Sequence, residues 1–192
     1  MFRSNEPTGV RVNTRTGPGG VQFAGPEWWI PALYLVVALL VQSEILHYFT
    51  LRGAQLSIVL VIVVWYGLRT DLLRAAIFGL IAGACEDALG TQTGASWMIA
   101  TTCTALFASA LSRWFFADSI PVTAGVVFAA TLLQRLIFWI AMSVWLGYPP
   151  GYARVHFHEA LWEALLNAIF VIVASVVARR FEDRRLDERR AR

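Results

Sequence analysis

Ala75-Ala76-Ile77-Phe78-Gly79-Leu80-Ile81-Ala82-Gly83-Ala84-Cys85-Glu86-Asp87-Ala88-Leu89-Gly90 is the stretch that decides the fold. Its residues are apolar at every turn, so it predicts a helix buried on all sides or immersed in lipid rather than a surface helix with one wet face. On a helical wheel Gly79, Gly83, Glu86 and Gly90 share a narrow sector, with Asp87 at its edge. Ala75, Gly79, Gly83 and Gly90 therefore offer small residues for close helix packing, within the chain's own bundle or against a partner helix. The helix ends in two acids at a depth where charge is costly, so each must find a partner or water.

The surrounding composition carries the same message. Hydrophobic residues make up 57% of the 192 and charged residues only 15%, which excludes an ordinary soluble domain. Charge-free runs occupy 28–43, 53–68, 75–85, 88–112, 119–134, 136–153 and 164–178. A spanning helix needs about 20 mostly apolar residues. Joining the two runs split by Arg135 gives six spans, near 28–49, 52–68, 72–89, 94–115, 120–146 and 160–179. A soluble all-helical protein of this composition would expose very large apolar patches. The chain thus reads as an all-α integral membrane protein with six transmembrane helices. A disordered tail is expected over 1–26, a six-helix domain over 27–180, and a charged C-terminal tail over 181–192.

All 16 basic residues are arginine, and their placement orients the spans. With both termini cytoplasmic, Arg3, Arg11, Arg15, Arg69, Arg74, Arg113 and the seven arginines from Arg179 to Arg192 fall on the cytoplasmic side. Only Arg52 and Arg154 fall outside, while Arg135 lies within a span, a strong positive-inside bias. The net charge of +3 is therefore a topology signal that favours anionic lipid, not nucleic acid, as its counterpart. Cys85 and Cys103 lie inside predicted helices and read as small buried hydrophobes. A cleavable signal peptide is not expected, because the first apolar run follows a polar region and lacks a small-residue cleavage pattern.

Local signals mark the helix ends. Trp28-Trp29 before Pro31 forms an interfacial anchor, and Glu44-Ile45-Leu46-His47-Tyr48-Phe49 an aromatic belt at the far surface. Thr70 or Asp71 suits the cap of the third helix, and Pro121 the first turn of the fifth. Gly90-Thr91-Gln92-Thr93-Gly94 predicts a compact helical hairpin between spans three and four. An interfacial loop is expected at His156-Phe157-His158, entering the last helix near Glu159. The tail pair Arg184 and Glu188 is spaced for an i,i+4 ion pair on a charged helix.

Polar residues inside the spans gather toward the outer half: Glu44, Glu86, Asp87, Glu159, Glu163 and Asn167, with Gln134-Arg135 near mid-membrane. Arg135 cannot discard its charge and needs an acid, carbonyls or water; Glu86, Asp87 and Glu163 are its natural partners. Glu86, Asp87, Arg135, Glu163 and Asn167 are accordingly expected to form a buried polar network, structural or else ligand-binding or ion-translocating. No catalytic or metal residue is assigned. His156 and His158 are two apart, which fits neither one helical face nor zinc-protease spacing, and Ser43, Ser57, Ser96, Ser109 and Ser143 have no histidine at matching depth.

The order of these features resembles the MreD family, the membrane subunit of the bacterial rod-shape machinery. The segments that carry the likeness are Leu35-Val36-Val37-Ala38-Leu39-Leu40-Val41-Gln42 and Leu60-Val61-Ile62-Val63-Val64-Trp65-Tyr66-Gly67-Leu68. Most specific is Gly79-Leu80-Ile81-Ala82-Gly83-Ala84-Cys85-Glu86-Asp87-Ala88-Leu89-Gly90 followed by Gly94, joined by Trp162-Glu163-Ala164-Leu165-Leu166-Asn167-Ala168-Ile169-Phe170 running into arginines. The likeness spans about residues 28–181. It implies a non-enzymatic scaffold of the cell-wall elongation complex in a bacterial inner membrane, without cofactor. The implied partners are a single-span MreC-like protein and, indirectly, MreB filaments, the RodA glycosyltransferase and a class B penicillin-binding protein. The family also resembles the S subunits of energy-coupling-factor transporters, which implies an S-component-like bundle with a cavity open toward the outer side. A substrate-binding membrane subunit of a small-molecule transporter is the alternative.

Overall fold

The computed structural model describes residues 29–44, 50–90, 93–112 and 119–190, with side chains to residue 181. Among the described residues the chain is all-helical: α1 (Trp29–Glu44), α2 (Ile58–Gly67), α3 (Leu72–Leu89), α4 (Ser96–Leu111), α5 (Ile120–Leu146) and α6 (Ala153–Arg190). The expected tail over 1–26, Trp28, and residues 45–49 of the aromatic belt lie outside the described residues.

Helix α2 is the axis of the bundle and touches all five other helices. Val59, Leu60, Val63 and Val64 are wholly buried, which is why its sequence is apolar all round rather than striped. Tyr34 on α1 meets Trp65 edge-on at 6.2 Å, and Tyr66 meets Phe78 of α3 at 4.6 Å. A second core layer joins Leu60, Val64 and Leu68 to Ala108, Val127, Ala130 and Val171, so α2 ties α4, α5 and α6 together.

Two boundaries differ from expectation for physical reasons. The span placed at 52–68 contains only ten helical residues, about 15 Å of rise. Its first part is instead a tight turn, with Leu51 and Ala54 exchanging backbone hydrogen bonds and Arg52 and Gly53 both at positive φ (54° and 84°). Glycine suits the second of these positions on two counts, since a Cβ there would also lie 2.7 Å from Glu159 Oε1. The last helix, expected near 160–179, is one helix from Ala153 to Arg190. It absorbs both His156-Phe157-His158, expected in a loop, and the charged tail to Arg190, so no break falls at 180. Helices α3 and α5 match their expected limits, and Pro121 occupies the first turn of α5. Asp71 stands at the N-cap of α3, yet its carboxylate pairs with Arg74 (3.2 Å) instead of capping a helix N–H.

Outside this core the helices present apolar side chains to their surroundings: Leu33, Val36, Val37 and Leu40 on α1, and Leu73, Ile77, Leu80 and Ile81 on α3. Helix α5 and the segment Pro150–Phe181 are long and apolar enough to cross a membrane.

Candidate functional site

The buried residues Glu86, Gln134 and Glu163 gather toward the bundle end where α3 finishes and α4 begins, while Thr70 and Ser109 are buried at the other end. Asp87 secures that corner. Its Oδ1 accepts from the Trp97 backbone N–H (3.2 Å) and its Oδ2 from that of Met98 (2.8 Å). Helix α4 enters through Ala95 in the left-handed region (φ 66°), which offers no capping side chain, so its first N–H groups would be orphaned. A carboxylate one hairpin back caps them at the positive end of the helix dipole. Asp87 thus faces the α4 terminus and not Arg135. Asp87→Ala is expected to cost about 1–2 kcal/mol, with Asp87→Asn intermediate, read as melting temperature in detergent.

Below this cap the glycine face turns inward. A Cβ on Gly83 would stand 2.5 Å from Met98 Cα and 2.7 Å from the Trp97 carbonyl oxygen. One on Gly79 would stand 2.7 Å from Ala105 Cβ and 3.0 Å from the Thr101 carbonyl oxygen. Ala75 is wholly buried in the same core. Of the two faces left open by the sequence, these three residues take the intramolecular one. Gly90, expected on the packing face, is instead the C-cap of α3, and the nearest atom to a Cβ there is Thr93 Cγ2 at 3.2 Å in its own turn.

Glu86 turns into the bundle, where its Oε2 accepts from Thr101 Oγ1 (2.9 Å), which in turn accepts from Gln134 Nε2 (2.9 Å). Arg135, the next residue on α5, takes Glu163 of α6: its Nε donates to Glu163 Oε2 at 2.6 Å, and its NH2 group pairs with the same oxygen. The guanidinium also lies over the Trp97 ring (5.2 Å), and His156 Nε2 approaches the Arg135 carbonyl oxygen at 3.1 Å. Of the three acids proposed for Arg135, Glu163 forms the ion pair.

Asn167 lies one turn below Glu163 and serves a different end. Its Oδ1 accepts from the Ser57 N–H (2.9 Å), while its Nδ2 donates to Thr131 Oγ1 (3.2 Å). Gln42 Oε1 accepts from the Val59 N–H (3.3 Å), and Ser57 Oγ from Leu60 (3.3 Å). The buried start of α2 is thereby satisfied from α1, from α6 and from its own cap. Asn167→Leu removes one acceptor from a buried N–H and is expected to cost about 1–3 kcal/mol, measurable as earlier amide exchange in α2.

A cavity of about 300 Å³ opens among these groups, lined by Gln42, Ser57, Glu86, Trp97, Arg135 and Glu163. Sequence reasoning missed Thr101, Thr131, Gln42 and Ser57 as partners. Their only signal was a hydroxyl or amide on an otherwise apolar helix, which does not say what it faces.

Among the described residues the fold and site together define an all-helical six-helix bundle with a buried polar latch at one end. Comparison with protein-family models, with curated proteins and with solved structures returns no match.

Proposed function

We propose that the chain is a multi-pass protein of a bacterial inner membrane, with both termini cytoplasmic, acting as an MreD-like scaffold of the cell-wall elongation machinery. One observation carries this reading: the acids of the motif helix are spent on holding α3 to α4. Asp87 caps α4 and Glu86 bonds Thr101, while Gly79 and Gly83 bring the two backbones together. Such a hairpin is a rigid surface. A scaffold works by presenting surfaces of that kind at fixed depth and orientation, with no catalytic step. Because Ala75, Gly79 and Gly83 are taken up internally, a single-span MreC-like partner would have to pack on the outward apolar faces of α1 or α3 instead. MreB, RodA and a class B penicillin-binding protein would then be reached through that partner.

Co-expression with an MreC-like protein and purification in mild detergent tests the proposal. A stable one-to-one or higher complex is expected; an MreC-like protein that never co-elutes contradicts it.

The transport-subunit reading has one observation in its favour. Short helix α2 begins inside the bundle beside the 300 Å³ cavity, and interrupted helices at mid-depth often mark substrate sites in transporters. A stoichiometric small molecule in the purified protein, or binding to ATPase subunits, would favour it over the scaffold.

A further inference from the structure

Around Glu86, acceptors outnumber the donors that reach them. The residue is 8% exposed and lines the 300 Å³ cavity. Its Oε2 takes the Thr101 hydroxyl, whereas Oε1 has no hydrogen-bond or ion-pair partner among the described residues. Gln134, wholly buried and bonded to the same Thr101 hydroxyl, also holds an oxygen, Oε1, that no donor reaches. The N–H groups of Ser57, Val59 and Leu60 at the start of α2 do not fill the gap, being taken by Asn167, Gln42 and the Ser57 hydroxyl.

Charge is out of balance in the same direction. Arg135 of α5, Glu163 of α6 and Asp87 of α3 are the charged groups that act on Glu86. Arg135 is matched by Glu163, and Asp87 by the Trp97 and Met98 N–H groups of α4. From α1 and the approach to α2 the cavity receives only neutral groups, Gln42, Ser43, Gln55 and Ser57 among them. The Glu86 carboxylate is left without a counter-charge where a bare negative charge is costly. Such a group either keeps a proton or holds a cation. An anion would meet an unpartnered carboxylate, and one unmatched charge selects a monovalent cation over a divalent one. The lining runs from Ser43 and Leu89, both exposed, inward to Glu86 and Ser57, both buried. Gln42 Oε1 and Ser57 Oγ each accept one N–H and keep a further lone pair, so the cavity holds oxygen ligands of the kind hard cations take.

We propose that Glu86 binds one small monovalent cation in this cavity, in exchange for a proton that leaves the same carboxylate for water. Either occupant leaves the buried end of the bundle neutral. The inference goes beyond the scaffold reading and shares with it only the membrane placement. An MreC-like protein that never co-elutes would end the scaffold reading and leave the cation site standing.

The test follows thermal melting of the full chain, purified in a neutral detergent, against sodium, potassium, methylammonium and choline chlorides over a pH series. Choline controls for ionic strength, because its bulk and lack of N–H groups keep it from close approach to a carboxylate. At least one small cation is expected to raise the melting temperature saturably, by a few degrees over choline. A response to sodium or potassium identifies a metal ion, and one to methylammonium alone an organic ammonium. The half-saturating concentration should fall as pH rises, by up to about tenfold per pH unit while the carboxylate is still protonated. Glu86→Gln keeps an acceptor for Thr101 but no charge and should abolish the rise. Glu44→Gln, at the end of α1 and outside the cavity lining, should keep it. A rise no larger than choline's, one that survives Glu86→Gln, or one indifferent to pH would each overturn the proposal. The first and third outcomes need only the unsubstituted protein, so they decide the matter even where Glu86→Gln does not fold.

Discussion

Glu163→Leu is expected to destabilise the bundle by about 3–5 kcal/mol, visible as a large fall in melting temperature and in the amount of protein accumulating in cells. Glu163 is 1% exposed and is the acid whose oxygen takes both donor groups of Arg135. Removing it leaves a guanidinium that cannot shed its charge, held between the Trp97 ring and helix α6. Arg135→Leu is expected to cost less, because the carboxylate left behind can take up a proton and become neutral. The double variant Arg135→Leu/Glu163→Leu should recover most of the loss, since replacing a buried pair by apolar groups is often close to neutral. The order of the three melting temperatures is the measurement: Glu163→Leu lowest, Arg135→Leu between, the double variant highest. A double variant as unstable as Glu163→Leu would show that the pair is not the reason these residues are there.

The second large effect is expected at Gly83. The atoms nearest a Cβ there are Met98 Cα at 2.5 Å, the Trp97 carbonyl oxygen at 2.7 Å and the Met98 nitrogen at 3.0 Å, all backbone and none able to rotate aside. Even Gly83→Ala must push α4 away from α3, and in doing so it strains both hydrogen bonds from α4 to Asp87. A cost of about 3 kcal/mol is expected, at the upper end for overpacking, and Gly83→Leu should exceed it. Gly125 on α5 is the matched control: a Cβ there meets nothing within 4 Å, so Gly125→Ala should be neutral or stabilising by up to about 1 kcal/mol. Equal melting temperatures for Gly83→Ala and Gly125→Ala would mean that the close approach of α3 and α4 is not real.

Much of this architecture is legible in the residues, and where it is not the reason is physical. Helices α3 and α5 announce their limits through Asp71, Gly90, Pro121 and Gly147, residues whose local chemistry acts within a turn or two. The shortness of α2 is marked locally only by its cap, Ser57, whose hydroxyl accepts from the Leu60 N–H. The charge-free run continues upstream of Ile58, and the helix can start at Ser57 because Asn167, 110 residues away, supplies the acceptor for the Ser57 N–H. The same limit applies to the acids. Periodicity places Glu86 and Asp87 on the glycine side, but adjacent residues on a helix diverge by about 100°, so one turns to Thr101 inside the bundle and the other to the α4 terminus. A backbone N–H as the partner of Asp87 is invisible to any search for complementary side chains. Helix α6 continues through its charged end to Arg190, past the last apolar turn, where hydropathy alone would end it.

Every functional assignment above stands on the chain crossing a membrane six times with its arginine-rich end in the cytoplasm. Paired reporter fusions test this most directly, one set after Tyr148 between α5 and α6, and one after Arg192. Alkaline phosphatase, active only outside the cytoplasm, is expected to be active after Tyr148 and silent after Arg192; a fluorescent protein that matures only in the cytoplasm should give the reverse. Both reporters behaving alike at the two positions, or the fusions recovered in the soluble fraction, would contradict the account.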